Sequence, residues 1–151
     1  MLKARMRWII FAILIVAGLF SPGGAGPALS ATLASPEDWS GSWHGTYVCA
    51  QGVTGLTLAI TPSGTRSVTA VFSFYAVPRN PTVPSGEFAM AGRLGAKAGR
   101  LALSAVSWTT RPAWYVMVDL DGDYDPRSGE YRGRVHGPGC GLFRLRRDLT
   151  S

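Results

Sequence analysis

The stretch WSGSWHGTYVCAQG, residues 39–52, alternates aromatic residues and glycines with small polar residues. Trp43, Tyr47 and Cys49 fall on one side of this period of two, and polar residues such as His44 fall on the other. Successive side chains of a strand point to opposite faces of a sheet, so the aromatic side is predicted to face a core. The stretch is therefore predicted to be the first strand of an all-β fold.

Further along the chain the same alternation recurs every 8 to 12 residues, between turns rich in glycine and proline. Residues 78–85 and 108–112 are predicted to be loops, because prolines interrupt them. The pattern predicts a small antiparallel β-barrel or β-sandwich of about eight strands. The predicted strands after the first are 56–60, 67–77, 86–93, one that begins at 101, 114–120, 131–136 and 142–147.

The chain has two cysteines, Cys49 in the first predicted strand and Cys140 near the C-terminus. Two distant cysteines in an exported chain most often form one disulfide. The loop that such a bond closes spans about 90 residues. Chain-entropy arguments then give the bond a stabilising effect of roughly 4 to 5 kcal/mol.

The N-terminus has the features of an export signal. Three basic residues precede an uninterrupted apolar run of 13 residues, 8–20. A membrane-spanning helix needs about 20 apolar residues, and this run is shorter, so a cleaved signal peptide is predicted. Small residues place the cleavage site at 28–30 or 32–34, and an uncleaved N-terminal anchor is the alternative.

Residues 1–34 are thus predicted to be a signal peptide with a short linker, and residues 35–151 a single monomeric domain, periplasmic or secreted, without a membrane anchor. The whole chain has a formal charge of +6. Three of its 15 basic residues lie in the leader, which leaves twelve against nine acidic residues, a charge of +3. A charge this small, without a long basic run, argues against a nucleic-acid partner.

The acidic segment 119–130 places carboxylates at the positions of a calcium-binding EF-hand loop. Tyr124 occupies the position that needs glycine, and strands rather than helices flank the segment. The preferred interpretation is a solvated strand face opposite arginines, with calcium binding as the alternative. His44 and His136 lack zinc-site spacing, and no nucleophile-elbow motif is present. No catalytic residue, metal site or cofactor is therefore predicted.

Four residues are candidates for contact with a ligand or partner. Trp108 and Arg111 are predicted to lie in a loop, and tryptophan and arginine are common interface anchors. Gln51 and Thr54 lie at the turn after the first strand. The chain is predicted to be an exported, non-catalytic binding protein for an envelope glycan, a small molecule or a protein. The alternative is a secreted or periplasmic inhibitor of a hydrolase, and a hydrolytic enzyme is disfavoured.

Two motifs resemble those of small exported bacterial β-domains: W-x-G-x-Y-x-C-x-Q-G at 43–52 and C-x-x-F-x-L at 140–145. This resemblance implies no activity. The Gly41-x-Trp43 opening is also similar to the first strand of lipocalins and avidin-type barrels. Small periplasmic inhibitors of lysozymes or proteases share the size, the compartment and a single disulfide, but the chain contains no inhibitor motif.

Overall fold

The computed structural model describes residues 33–148, which form one short helix and eight strands. The predicted leader lies outside this range, apart from its last two residues. The helix is α1 (Pro36–Trp39). The strands are β1 (Gly41–Cys49), β2 (Gly52–Gly64), β3 (Ser67–Tyr75), β4 (Gly86–Leu94), β5 (Arg100–Thr110), β6 (Asp119–Asp125), β7 (Glu130–His136) and β8 (Leu142–Arg147).

The eight strands form a closed antiparallel barrel in which each strand pairs with the next. β8 returns to pair with β1, so that Trp43 lies opposite Leu58 of β2 on one side and Arg147 of β8 on the other. The prediction of an all-β fold is confirmed, and of the two architectures it is the barrel that forms. The predicted disulfide between Cys49 and Cys140 is also confirmed.

The interior of the barrel is filled by inward-facing side chains. β1 buries Trp43, Tyr47 and Cys49, whereas the residues between them are partly or fully exposed. Phe72 and Phe88 stack across neighbouring strands with ring centroids 4.5 Å apart. Each large apolar side chain buried in this way contributes roughly 1.5 to 3 kcal/mol. The largest completely buried side chains are Trp39, Trp43, Tyr131, Phe72, Phe88, Leu56, Leu58, Met90, Leu101, Leu103, Leu120 and Leu145.

Helix α1 closes one end of the barrel. The Ser35 N–H donates to Asp38 Oδ2 at 2.8 Å and the Asp38 N–H donates to the Ser35 hydroxyl at 3.4 Å, a capping box that fixes the start of the helix. Trp39, the last residue of the helix, packs against Tyr131 with ring centroids 4.9 Å apart. The Trp43 indole N–H then donates to the Trp39 carbonyl at 3.0 Å. These contacts join the helix to the first strand at the closed end.

The ladder between β5 and β6 is the shortest in the barrel. It covers four residue pairs and ends where Leu103 lies opposite Leu120. Just beyond this pair, the Asp119 carboxylate accepts a hydrogen bond of 2.8 Å from the Ala105 N–H. In a continued ladder a backbone carbonyl would accept this hydrogen bond. Beyond this pair β5 and β6 are not paired with each other, which leaves an opening between them toward the end of the barrel opposite α1.

Two predicted boundaries are wrong at this opening. Trp108 lies within β5, which runs to Thr110, so no loop begins at residue 108. Residues 111–118 lie outside any strand, and β6 begins at Asp119 rather than at residue 114. The physical reason is that the Asp119 side chain ends the β5–β6 ladder, and the residues before it have no strand to pair with.

Gly45 allows β1 to approach β8 closely where the barrel closes. A Cβ at this position would collide with the Arg144 backbone carbonyl, which is held in the β1–β8 ladder. We expect Gly45→Ala to lower the free energy of unfolding by about 2 kcal/mol, the usual cost of overpacking. Gly64→Ala is the matched control, because a Cβ there would lie an ordinary 3.6 Å from Ser67. Thermal melting compares the two variants, and equal melting temperatures would contradict this account.

Candidate functional site

The end of the barrel opposite α1 carries the disulfide, and we call it the disulfide end. Cys49 ends β1, and Cys140 lies in the connection from β7 to β8. The Gly141 N–H also donates to the Val48 carbonyl at 2.9 Å, so this connection is fastened to β1 twice. Four connections meet at this end: 50–51, 76–85, 111–118 and 137–141.

A pocket of about 340 Å³ opens at the disulfide end. Its size lies at the lower limit of ligand pockets, which span roughly 300 to 1,000 Å³. The pocket is bordered mainly by apolar and aromatic side chains, above the filled interior. The lining residues are Tyr47, Cys49, Ala50, Gln51, Trp114, Tyr115, Val116, Val118, Pro138 and Cys140.

Three polar side chains form a hydrogen-bonded group beside the pocket. The Gln51 amide donates to the Tyr47 hydroxyl and to the Thr54 hydroxyl, each at 3.2 Å. The Thr54 hydroxyl in turn donates to the Gly52 carbonyl at 3.2 Å. Burial raises the pKa of the Tyr47 phenol well above its ordinary value, and the neighbouring Tyr115 adds to the rise. The phenol therefore stays protonated at pH values where a free tyrosine ionises.

Asn80 fastens the connection 76–85 to the start of β2. Its side-chain amide donates to the Gln51 carbonyl at 2.7 Å and to the Val53 carbonyl at 3.1 Å. Its backbone N–H donates to the Val77 carbonyl at 2.8 Å and closes a tight turn. This connection is therefore tied to the turn that carries Gln51, next to the pocket.

The connection 111–118 presents the most exposed large apolar side chain in the part of the chain that the structure describes. Trp114 is 98% exposed, and its φ of 68° is the only positive value at a non-glycine residue within 33–148. Next to it, Tyr115 stacks on Phe74 with ring centroids 5.2 Å apart, and Val118 is buried. The prediction that Trp114 begins a strand is wrong, because Tyr115 and Val118 hold the connection against the barrel and leave Trp114 in solvent.

The four predicted contact residues do not form one site. Gln51 lines the pocket, whereas Thr54 is completely buried behind it. Trp108 packs edge-on against Phe88, with ring centroids 5.2 Å apart. The Arg111 guanidinium lies 5.9 Å from the centroid of the Trp108 ring. Of the four, Gln51 is the residue that borders the pocket.

Trp114 and Asn80 are the residues of this end that sequence patterns do not single out. Trp114 sits in a continuous apolar run, 113–118, of a kind found in buried strands, so the pattern gives no sign that it faces solvent. Asn80 follows Pro78 by two residues and precedes Pro81. Asparagine in a proline-rich turn often binds nearby backbone groups, and this is the signal from which its role follows.

Three of the four acidic residues of β6 are paired with arginines. Arg100 contacts Asp121 at 2.7 Å and Asp123 at 2.9 Å. Arg132 of β7 contacts Asp125 at 2.9 Å. Across residues 33–148, no three histidine, cysteine or acidic side chains are grouped closely enough to hold a metal ion. The arginines therefore place compensating positive charge beside these three carboxylates.

On the outer face of the barrel, His44 lies between a hydroxyl and a carboxylate. Its Nδ1 is 3.0 Å from Thr57 Oγ1, and its Nε2 is 2.6 Å from Asp148 Oδ2. The same order of groups occurs in hydrolase triads. Thr57, however, is paired with His44 on one side and Ser73 on the other. The backbone N–H groups around it serve these ladders, whereas an oxyanion site needs free donors.

Comparison with models of protein families, with curated proteins and with solved structures finds no match. Within the described range, no helix is long and apolar enough to cross a membrane.

Proposed function

We propose that the chain is an exported, non-catalytic binding protein that takes a protein partner at its disulfide end. The observation that carries this proposal is Trp114, which is 98% exposed at the border of a pocket of about 340 Å³. Tryptophan is enriched among the residues that dominate protein interfaces, because it buries a large area at a low cost in conformational entropy. Trp114, Tyr115 and Val116 together supply the apolar centre that such an interface needs.

The filled interior favours an external partner over an enclosed small molecule. Barrels that hold a small ligand keep a cavity between their strands. In this barrel Phe72, Phe88 and Tyr131 are completely buried in that space. The pocket at the disulfide end is instead open to a partner that approaches from outside.

The backbone at Trp114 also supports a binding role. A positive φ costs a non-glycine residue roughly 1 to 2 kcal/mol, and such strain clusters at functional sites. The conformation is held by the stacking of Tyr115 on Phe74 and by the burial of Val118. A side chain whose backbone is already ordered loses less entropy when a partner binds.

The export and the absence of catalysis are proposed on separate grounds. The apolar run 8–20 has the length of a signal peptide, and the Cys49–Cys140 disulfide is stable in oxidising compartments. The non-catalytic assignment is supported by the surroundings of His44. The groups next to it have the order of a hydrolase triad, but the neighbouring backbone N–H groups are used in β-ladders and are not free to bind an oxyanion.

An inhibitor of a hydrolase is the second candidate, and the Trp114 connection is the observation that favours it. Inhibitors that block an active site use an ordered segment that changes little on binding. The fixed backbone and protruding ring of Trp114 match that requirement. Loss of hydrolase activity on addition of the wild-type domain, but not of Trp114→Ala, would distinguish an inhibitor from another binding protein.

We expect Trp114→Ala to weaken partner binding about thirtyfold, since truncation of an interface anchor costs about 2 kcal/mol. The partner is captured from envelope extract with the oxidised wild-type domain, purified, and titrated by calorimetry. Val71→Ser is the matched control, because Val71 is 38% exposed but lies in the middle of β3. Full affinity of Trp114→Ala, or an equal loss in Val71→Ser, would rule out the proposed surface.

A further inference from the structure

The outer face of β7, β8 and β1 carries a regular array of side chains. Arg132 of β7 lies opposite Arg144 of β8, which lies opposite Thr46 of β1. Two residues closer to the disulfide end, Arg134 of β7 lies opposite Leu142 of β8. Because alternate residues of a strand share a face, these side chains form two adjacent rows on the outside of the barrel.

A groove of about 380 Å³ lies within this array. We call it the arginine groove and define it by its outward side chains, Thr46, Val48, Arg132, Leu142 and Arg144. Leu142 is 61% exposed and Val48 is 40% exposed. The groove therefore combines an apolar surface with two cationic side chains.

The charge of this face is not balanced by its own carboxylates. Glu130 is buried under the arginines, and it contacts Arg146 at 3.0 Å and Arg144 at 3.5 Å. Arg134 makes no ion pair with any residue in 33–148. Arg132 also contacts Glu130, at 3.9 Å, so three arginines share one carboxylate, which does not neutralise them. Cationic charge thus remains on this face beside the exposed Leu142.

We infer that the arginine groove is a docking site for an acidic, leucine-bearing peptide segment of a partner protein. The carboxylates of the segment pair with Arg134 and Arg144, whose planar guanidinium groups suit carboxylate geometry. Its apolar side chains cover Leu142 and Val48. Arginine clusters that recognise acidic motifs are a recurrent mode of peptide binding.

The shape of the groove favours a peptide over an anionic membrane. Leu142 and Val48 lie in a concavity on the wall of the barrel, in the row next to Arg132 and Arg144. A narrow chain segment can enter this concavity, whereas a flat lipid surface would meet the long arginine side chains first. The arginine groove shares no lining residue with the pocket beside Trp114, so the inference does not depend on the proposed function.

A short fluorescent peptide that alternates glutamate and leucine tests the inference by anisotropy titration of the oxidised domain. We expect Arg134→Gln/Arg144→Gln to weaken binding about tenfold, which is 1.4 kcal/mol for two exposed ion pairs. Leu142→Ser is expected to weaken it as well. Arg93→Gln removes an exposed arginine of β4 and leaves the affinity unchanged. Trp114→Ala also leaves it unchanged, which separates this site from the disulfide end.

Several outcomes would overturn the inference. They are the absence of peptide binding, an equal loss in Arg93→Gln, and equal affinity for a peptide that alternates glutamate and serine. Binding of vesicles that contain anionic lipid, dependent on Arg134 and Arg144 and without peptide binding, would assign the groove to a membrane surface instead. Melting curves establish that each variant is folded. Arg134→Gln alone replaces the double variant if that variant unfolds, since Arg134 supports no ion pair within 33–148.

Discussion

We expect the replacement of both Cys49 and Cys140 by serine to lower the free energy of unfolding by about 4 to 5 kcal/mol. The disulfide joins residues 91 positions apart, and closing a loop of that length removes much of the freedom of the unfolded chain. Domains of this size are stable by only roughly 5 to 15 kcal/mol. The bond therefore accounts for a large part of the net stability.

Urea denaturation of the oxidised domain, the reduced domain and the double serine variant measures this effect. The reduced wild-type domain should unfold at the same urea concentration as the double variant, and reductant should not change the variant itself. A difference below about 1 kcal/mol between the oxidised and reduced forms would contradict the expectation, because chain-entropy arguments place it far higher. It would mean that the β1–β8 ladder holds the barrel closed unaided.

We expect Trp43→Ala to lower the free energy of unfolding by about 3 to 5 kcal/mol, the cost of removing a large aromatic side chain from a core. Trp43 is completely buried, and its indole N–H donates to the Trp39 carbonyl. The Arg147 guanidinium lies 4.8 Å from the centroid of the Trp43 ring. Two nitrogens of Arg147 are buried without a hydrogen-bond partner in the described chain. The face of the Trp43 ring stabilises this buried cation, and Trp43→Ala removes that interaction.

Trp114→Ala is the matched control, because the same chemical change is made at a side chain that is 98% exposed. Surface substitutions of this kind usually change stability by less than about 0.5 kcal/mol. Thermal melts of the two variants, recorded side by side, should differ widely. Similar melting temperatures would contradict the assignment of Trp43 to the core or of Trp114 to the surface.

Local patterns in the sequence were sufficient for most of the barrel. Trp43, Tyr47 and Cys49 face inward as their spacing predicts, because a half-buried strand imposes a period of two. The prediction of the disulfide needed only the presence of two distant cysteines in the chain. The predicted start of the first strand is wrong, since Trp39 belongs to α1 and β1 begins at Gly41.

The error at Trp39 is one that local signals could have prevented. Ser35 and Asp38 stand three residues apart with Pro36 at the first helical position, which is a helix-start pattern. The error at residues 111–118 is of another kind. An apolar run persists there, but a strand also needs a neighbour, and the Asp119 side chain that ends the ladder binds Ala105, 14 residues earlier in the chain.

The two candidate surfaces show the same limit. The rim of the pocket depends on the direction in which Trp114 points, which the contacts of Tyr115 and Val118 decide. The arginine groove depends on the register that places Arg132 opposite Arg144. Both are set by contacts between distant parts of the chain, and a single sequence does not contain that information in its local pattern.

The order of the strands has a consequence for how the protein is made. Within residues 33–148, every ladder joins strands that are consecutive in sequence, except the one between β1 and β8. As the chain emerges from the ribosome, one edge of β1 stays unpaired until the last strand arrives, and an open edge invites pairing with other chains. Cys49 likewise has no partner until Cys140 has emerged. Closure of the barrel and formation of the disulfide therefore both wait for the last part of the domain to be synthesised, residues 137–147.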